Sequence, residues 1–234
     1  MVETVPQQTT IEVIGLELEG VVNVPEEARG VVLFVHALGS NRHDASDARI
    51  ADALQQKRIG TVLVNLLTTE EQETDAGVEA RFDPTTLGPR VIALADHLAK
   101  HPPTAGLRGG LCGTGTGVAG ALIAAVARPG WVRAVFSRAG RPDLAGEFVR
   151  LVRCPTLLVV GELDGAVREL NEQAEDLFPR TARVGRVPGA SVVHEDPQAI
   201  SLVAELARDW FPLRLGGGQG SRGAPSASRP APSR

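Results

Sequence analysis

Short runs of almost unbroken apolar residues recur along this chain, each too short for a helix, with helical patterns between them. Residues 31–35 (VVLFV), 61–67 (TVLVNLL), 132–137 (VRAVFS) and 156–160 (TLLVV) are the clearest. A strand with one wet face alternates apolar and polar residues, whereas a strand covered on both faces does not. These runs therefore predict strands sandwiched between helices. Residues 107–112 form a weaker strand candidate between glycines, and residues 183–187 a last one. Leu87, Val91, Leu94 and Leu98 fall on one face of a helix that starts near Asp83-Pro84. Ile50, Ala53 and Leu54 mark an earlier helix for which Asp44 or Ser46 is the expected cap. Residues 118–126 are Ala-rich and apolar all round, the pattern of a buried helix. Leu170, Ala174 and Leu177 mark another, and Ile200, Val203, Leu206 and Trp210 the last, after Pro197. Strands separated by helices pair in parallel, with the helices on both faces of the sheet. Residues 10–24 differ: two half-exposed strands around Gly15 and Gly20 predict an antiparallel hairpin at one edge.

Composition removes several functions. The chain has 234 residues and a net charge of −4, enough for one full core and not the balance of a bulk-charge nucleic-acid binder. There is no Tyr and there are only 2 Trp, which argues against an aromatic platform for single strands. No apolar run approaches the ~20 residues of a membrane span. Residues 1–10 are polar, without the apolar segment of a leader, and Cys112 and Cys154 are the only cysteines, so a reducing, cytoplasmic location is expected. Residues 216–234 hold only Gly, Gln, Ser, Arg, Ala and Pro, which cannot bury enough to offset their ordering entropy. The expected organisation is one α/β domain over residues 1–212 and a disordered tail over 213–234.

In an open parallel sheet the site lies beyond the carboxyl ends of the strands. The most informative stretch there is Gly113-Thr114-Gly115-Thr116-Gly117, between a strand and the Ala-rich helix. It lacks the spacing of a dinucleotide loop and the Lys-Ser/Thr pair of a phosphate loop. It does fit a nucleophile elbow, in which small residues flank a nucleophile on a sharp strand-to-helix turn. Its centre, however, is Gly115.

With those residues in view, the chain resembles the dienelactone-hydrolase-like branch of the α/β-hydrolases, including small hydrolases also found fused to phosphoribosyltransferase-like domains. The resemblance runs in order over residues 10–210. It rests on VVLFVH at 31–36 with GSNRH at 39–43, TVLVNLLT at 61–68, RFD at 81–83, SRAGRPDLAG at 137–146, PTLLVVG at 155–161 and VPGA at 187–190. It implies an α/β-hydrolase fold: a mostly parallel central sheet of about seven or eight strands, helices on both faces and an antiparallel N-terminal hairpin. Of the triad that the resemblance implies, the nucleophile position is Gly115, the acid is kept as Asp164 in Gly161-Glu162-Leu163-Asp164, and the base position is Val192. A glycine cannot attack a carbonyl, nor can a valine take a proton. Losing a nucleophile or base costs about 10⁶ in kcat in the best-studied triad, and losing both costs little more, because they act as a unit.

Three functions are consistent with that pattern. One is binding of a small, largely apolar molecule, or non-covalent acid–base chemistry on it such as isomerisation or cyclisation, with no cofactor, no metal, no nucleic acid and no membrane. The second is ester or lactone hydrolysis through displaced residues, Cys112 or His194, while an Asp164–His194 dyad is a candidate general base for isomerisation, cyclisation or activation of water without a covalent step. The third is a non-catalytic, partner-binding pseudoenzyme. Candidate binding residues are His36 at a strand end, Arg42 and His43 on the following loop, Thr114 and Thr116 beside the elbow, and Arg138, for which a salt bridge to Asp143 or Asp164 is the structural alternative. Surface placement is expected for His97 and His101, and a solvated acidic loop for residues 69–75.

Overall fold

The computed structural model describes residues 6–36, 45–80, 83–191 and 196–216. Eight strands form one sheet: β1 (Gln7–Val13), β2 (Leu16–Asn23), β3 (Val31–Val35), β4 (Gly60–Val64), β5 (Gly109–Thr114), β6 (Val132–Arg138), β7 (Thr156–Gly161) and β8 (Ala182–Val187). Their order across the sheet is β1-β2-β4-β3-β5-β6-β7-β8. β1 and β2 are antiparallel, and β2 meets β4 antiparallel; from β4 to β8 all pairs are parallel. The hairpin turns through Ile14 and Gly15, both at positive φ, as a tight two-residue turn requires. Of the runs read as doubly covered strands, β3, β4 and β7 are buried at every residue, β6 is buried except at Arg133, and the strand expected over 61–67 ends at Val64.

The helices are α1 (Ala45–Gln55), α2 (Thr69–Gln72), α3 (Asp75–Ala80), α4 (Pro84–Lys100), α5 (Gly117–Ala127), α6 (Gly165–Glu175), α7 (Pro197–Trp210) and α8 (Pro212–Leu215), with a 3-10 segment at Pro142–Leu151. Alternate strand residues feed two cores. Leu33, Leu111, Val135 and Leu158 pack with Leu87, Val91 and Leu94 of α4 and with α5. Val32, Phe34, Cys112, Phe136 and Val159 pack with Ile50 and Leu54 of α1 and with Val203 and Trp210 of α7.

From β3 the chain moves outward to β4 on one side. From β5 it moves through β6 and β7 to β8 on the other. The switch point therefore lies between β3 and β5, where an open α/β sheet leaves a crevice at the strand ends. His36 follows β3 there, and Gly115 follows β5.

Three expectations change. Residues 69–75 are largely solvated, as expected, but not a loop: Thr68 and Glu71 form a reciprocal cap on α2, and Glu71 takes both guanidinium nitrogens of buried Arg90 at 2.6 and 2.7 Å. Arg90 also donates to the Leu66 carbonyl, so the chain leaving β4 is pinned to α4. Ser46 lies inside α1 rather than capping it, and Asp44 lies outside the described residues. The domain edge expected at 212 falls inside α8, which fully buries Leu215 in the core beside Phe211. Residues 217–234, most of the expected tail, lie outside the described residues.

Candidate functional site

The turn from β5 into α5 has the geometry of an elbow. Gly115 stands at its apex with φ +54°, in the left-handed region. Its carbonyl accepts from the Arg141 N–H at 2.9 Å, so the chain after β6 braces the turn. The flanking glycines answer to crowding. A Cβ on Gly113 would stand 2.9 Å from the Val118 Cα, and one on Gly117 only 2.5 Å from the Val35 carbonyl oxygen. Strand β3, strand β5 and the first turn of α5 thus meet where only hydrogen atoms fit. Thr116, buried, leads into α5, and Thr114, half-buried, ends β5.

Cys112 is not poised as a nucleophile. It lies within β5, level with Phe34 of β3, and is fully buried in the core. Burial pushes its thiol far above the ordinary cysteine range, and the Asp47 carboxylate pushes it further, against a smaller opposing effect of Arg138. A thiol so placed supplies no thiolate near neutral pH. The displaced-nucleophile expectation for Cys112 is therefore corrected.

Beside the elbow, and below it on the α1 face, lies a buried charged cluster. Asp47, on α1, is fully buried. Its Oδ1 accepts from Arg138 Nη2 at 2.9 Å, and its Oδ2 lies 2.8 Å from His36 Nδ1. The His36 contact has ion-pair distance without hydrogen-bond alignment. Arg138 also reaches Thr114 Oγ1, from Nη2 at 3.3 Å and from Nε at 3.4 Å. This partner corrects the alternatives for Arg138. Asp143 is held instead by Arg141 at 2.7 and 2.8 Å, which lowers its carboxyl below the ordinary range. Asp164 caps α6, accepting from the Val167 N–H at 3.2 Å.

Asp47 is the residue that sequence reasoning missed. Its signal was present: Asp47, Ile50, Ala51 and Leu54 share one helical face, and the other three are core residues. A carboxylate on an apolar stripe needs a buried partner.

His194, Val192, Arg42 and His43 lie outside the described residues. His97 and His101 stack at 4.2 Å where α4 ends, with His97 lowered by burial first and His101 second. Among the described residues no cluster of three or more His, Cys, Asp or Glu is placed to hold a metal ion. Among them, too, no helix is long and apolar enough to cross a membrane.

The chain is 40% identical to a dienelactone hydrolase from Anabaena variabilis, with a TM-score of 0.85 over 90% of this chain and 99% of that one. It belongs to the dienelactone hydrolase family. Within the wider α/β-hydrolase fold, Est1E from Butyrivibrio proteoclasticus superposes with a TM-score of 0.74 over 89% of this chain at 12% identity, a likeness of fold alone. Proteins from two strains of Mycobacterium tuberculosis, provisionally named phosphoribosyl transferases, are 43% identical over 192 residues. This dienelactone hydrolase family member spans only 43% of their length, while 82% of it is matched. No family model matches the chain.

Proposed function

We propose that this member of the dienelactone hydrolase family works without a covalent nucleophile. It holds a small, largely apolar molecule at the strand ends, or carries out acid–base chemistry on it there. The observation that carries this reading is Gly115 at the apex of an elbow whose flanking glycines and positive φ are intact. An acyl-enzyme needs a side chain at that apex, and glycine has none. Without nucleophile and base, what remains is electrostatic stabilisation and binding, worth about 10³ to 10⁴ over water. The burial of Cys112 supports the reading against hydrolysis through a displaced thiol.

Turnover of short-chain nitrophenyl esters tests it, with the unaltered protein beside Cys112→Ala, His194→Ala and Asp164→Ala. The expected result is no burst of nitrophenol and no loss of the residual rate in Cys112→Ala. A stoichiometric burst abolished by Cys112→Ala overturns the proposal and makes this an ordinary thiol hydrolase.

A further inference from the structure

Among the described residues, the buried cluster beside the elbow has a ring nitrogen without a hydrogen-bond partner. His36 Nε2 is buried and has no hydrogen-bond partner among the described residues. Leaving such an atom unpaired costs about 1 to 3 kcal/mol. The other ring nitrogen faces the Asp47 carboxylate at 2.8 Å, so electrostatics favours the ring proton on Nδ1 and leaves a lone pair on Nε2. That is the arrangement of a base and its orienting carboxylate. The imperfect alignment at Nδ1 is no obstacle, because such bonds often tighten only when a substrate is bound.

From this we infer that His36 is a proton-transfer base and Asp47 its positioning residue, acting on a small, largely apolar carbonyl compound with an acidic C–H bond. The inference rests on the reading that the site works without a covalent nucleophile, and it names the group that does the work instead.

Position supports it. His36 lies one residue past Val35, which is in register with Gly113, so it stands beside Thr114 at the switch point of the sheet. The Thr114 hydroxyl oxygen accepts from Arg138, which leaves the hydroxyl proton to donate to a substrate oxygen. Charge supports the substrate class. Asp47 and Arg138 offset one another, so with a neutral imidazole the cluster has no net charge among the described residues with which to recruit an ion. The Phe34 ring stacks near the His36 ring at a centroid distance of 6.4 Å. In an isomerisation Nε2 takes a proton from one carbon and returns it to another atom of the same molecule, with no net gain or loss by the protein.

A probe that needs only a base is 5-nitrobenzisoxazole. Nε2 removes the ring C–H proton, the C–H electrons form the nitrile, and the N–O bond breaks with its pair on oxygen. The coloured cyano-nitrophenolate is released, and the imidazolium returns its proton to water. The unaltered protein is expected to exceed His36→Ala and His36→Gln at least about a hundredfold in kcat/KM. Asp47→Asn is expected to lower kcat at least tenfold, since an amide no longer selects the tautomer, as in the best-studied triad. Heteronuclear NMR of the imidazole nitrogens should show His36 protonated on Nδ1 in the unaltered protein and redistributed in Asp47→Asn, a change that a purely structural role does not require. His101→Ala should match the unaltered protein. Turnover of the unaltered protein no faster than that of His36→Gln overturns the inference, and so does a proton on Nε2. Failure of the wider reading looks different: an ester burst lost in Cys112→Ala.

Discussion

The elbow and the charged cluster sit side by side at the same end of the sheet, and they are built oppositely. At the elbow a sharp, crowded strand-to-helix turn carries a glycine, Gly115, at its apex. Gly113 and Gly117 are there because strand and helix meet too closely for a Cβ, and that crowding holds whether or not the apex carries a nucleophile. In the cluster the chemistry lies in side chains from α1, from β6 and from the residue after β3, which tertiary packing brings together. Shape can outlast chemistry because packing maintains it. A buried charge cannot stand without its partner, because desolvation penalises each ion alone.

That contrast can be broken most severely at Asp47. Asp47→Ala leaves Arg138 buried without this counter-ion and is expected to cost about 3 to 5 kcal/mol, read as a shift in the denaturant midpoint with an unchanged slope. A loss below about 1 kcal/mol would mean that the pair behaves like an exposed one.

The elbow side of the comparison can be sharpened by placing a nucleophile at its apex. If shape has outlasted chemistry there, Gly115→Ser combined with Val192→His should raise nitrophenyl ester turnover by about a hundredfold or more, with a burst that neither single substitution gives. A double variant as inert as its parent would show that the turn no longer presents its apex productively.

A smaller effect is expected from crowding. Gly117→Ala places a Cβ 2.5 Å from a backbone oxygen that has no room to give. It should destabilise by about 1 to 3 kcal/mol in thermal or denaturant unfolding. Gly130→Ala, where nothing lies within 4 Å, should change stability by less.

The smallest effect lies at Glu71. Its hydrogen bonds to Arg90, ahead of the cost of burial, hold its carboxyl below the ordinary range. A depressed folded-state value contributes stability above the unfolded value, and that contribution is lost as pH falls through the folded one. Glu71→Gln should cost about 1 kcal/mol at neutral pH, discounted because the carboxylate is about one-third exposed, 32%. The difference from the unaltered protein should shrink as the pH is taken below 4.5, the carboxyl's ordinary value. A pH-independent difference would assign the effect to the cap and not to the ion pair.

Some of this architecture was legible without coordinates. The doubly covered strands, the hairpin, the Asp83-Pro84 start of α4 and the elbow all follow from local rules: apolar periodicity, positive-φ glycines, and caps within a few residues of what they cap. Asp83, for example, accepts from the Thr85 N–H at 2.9 Å, a contact spanning two residues. The acidic stretch at 69–75 misled because its charge pattern is local, whereas the Arg90 that neutralises Glu71 lies 19 residues onward. Asp47 was overlooked for the same reason: its partner Arg138 is 91 residues away, and only its place on an apolar helical face hinted at burial.

Periodicity and steric demand act over a few bonds, so the order of strands and helices, the crowded elbow and the missing side chain at Gly115 were all written in the chain. The pairing of Asp47 with Arg138 and His36 and the withdrawal of Cys112 into the core were not. They depend on which strand ends lie next to one another, and on how far water is excluded between them. Folding decides both, because the energy of a charge is set by everything around it and not by its neighbours in sequence.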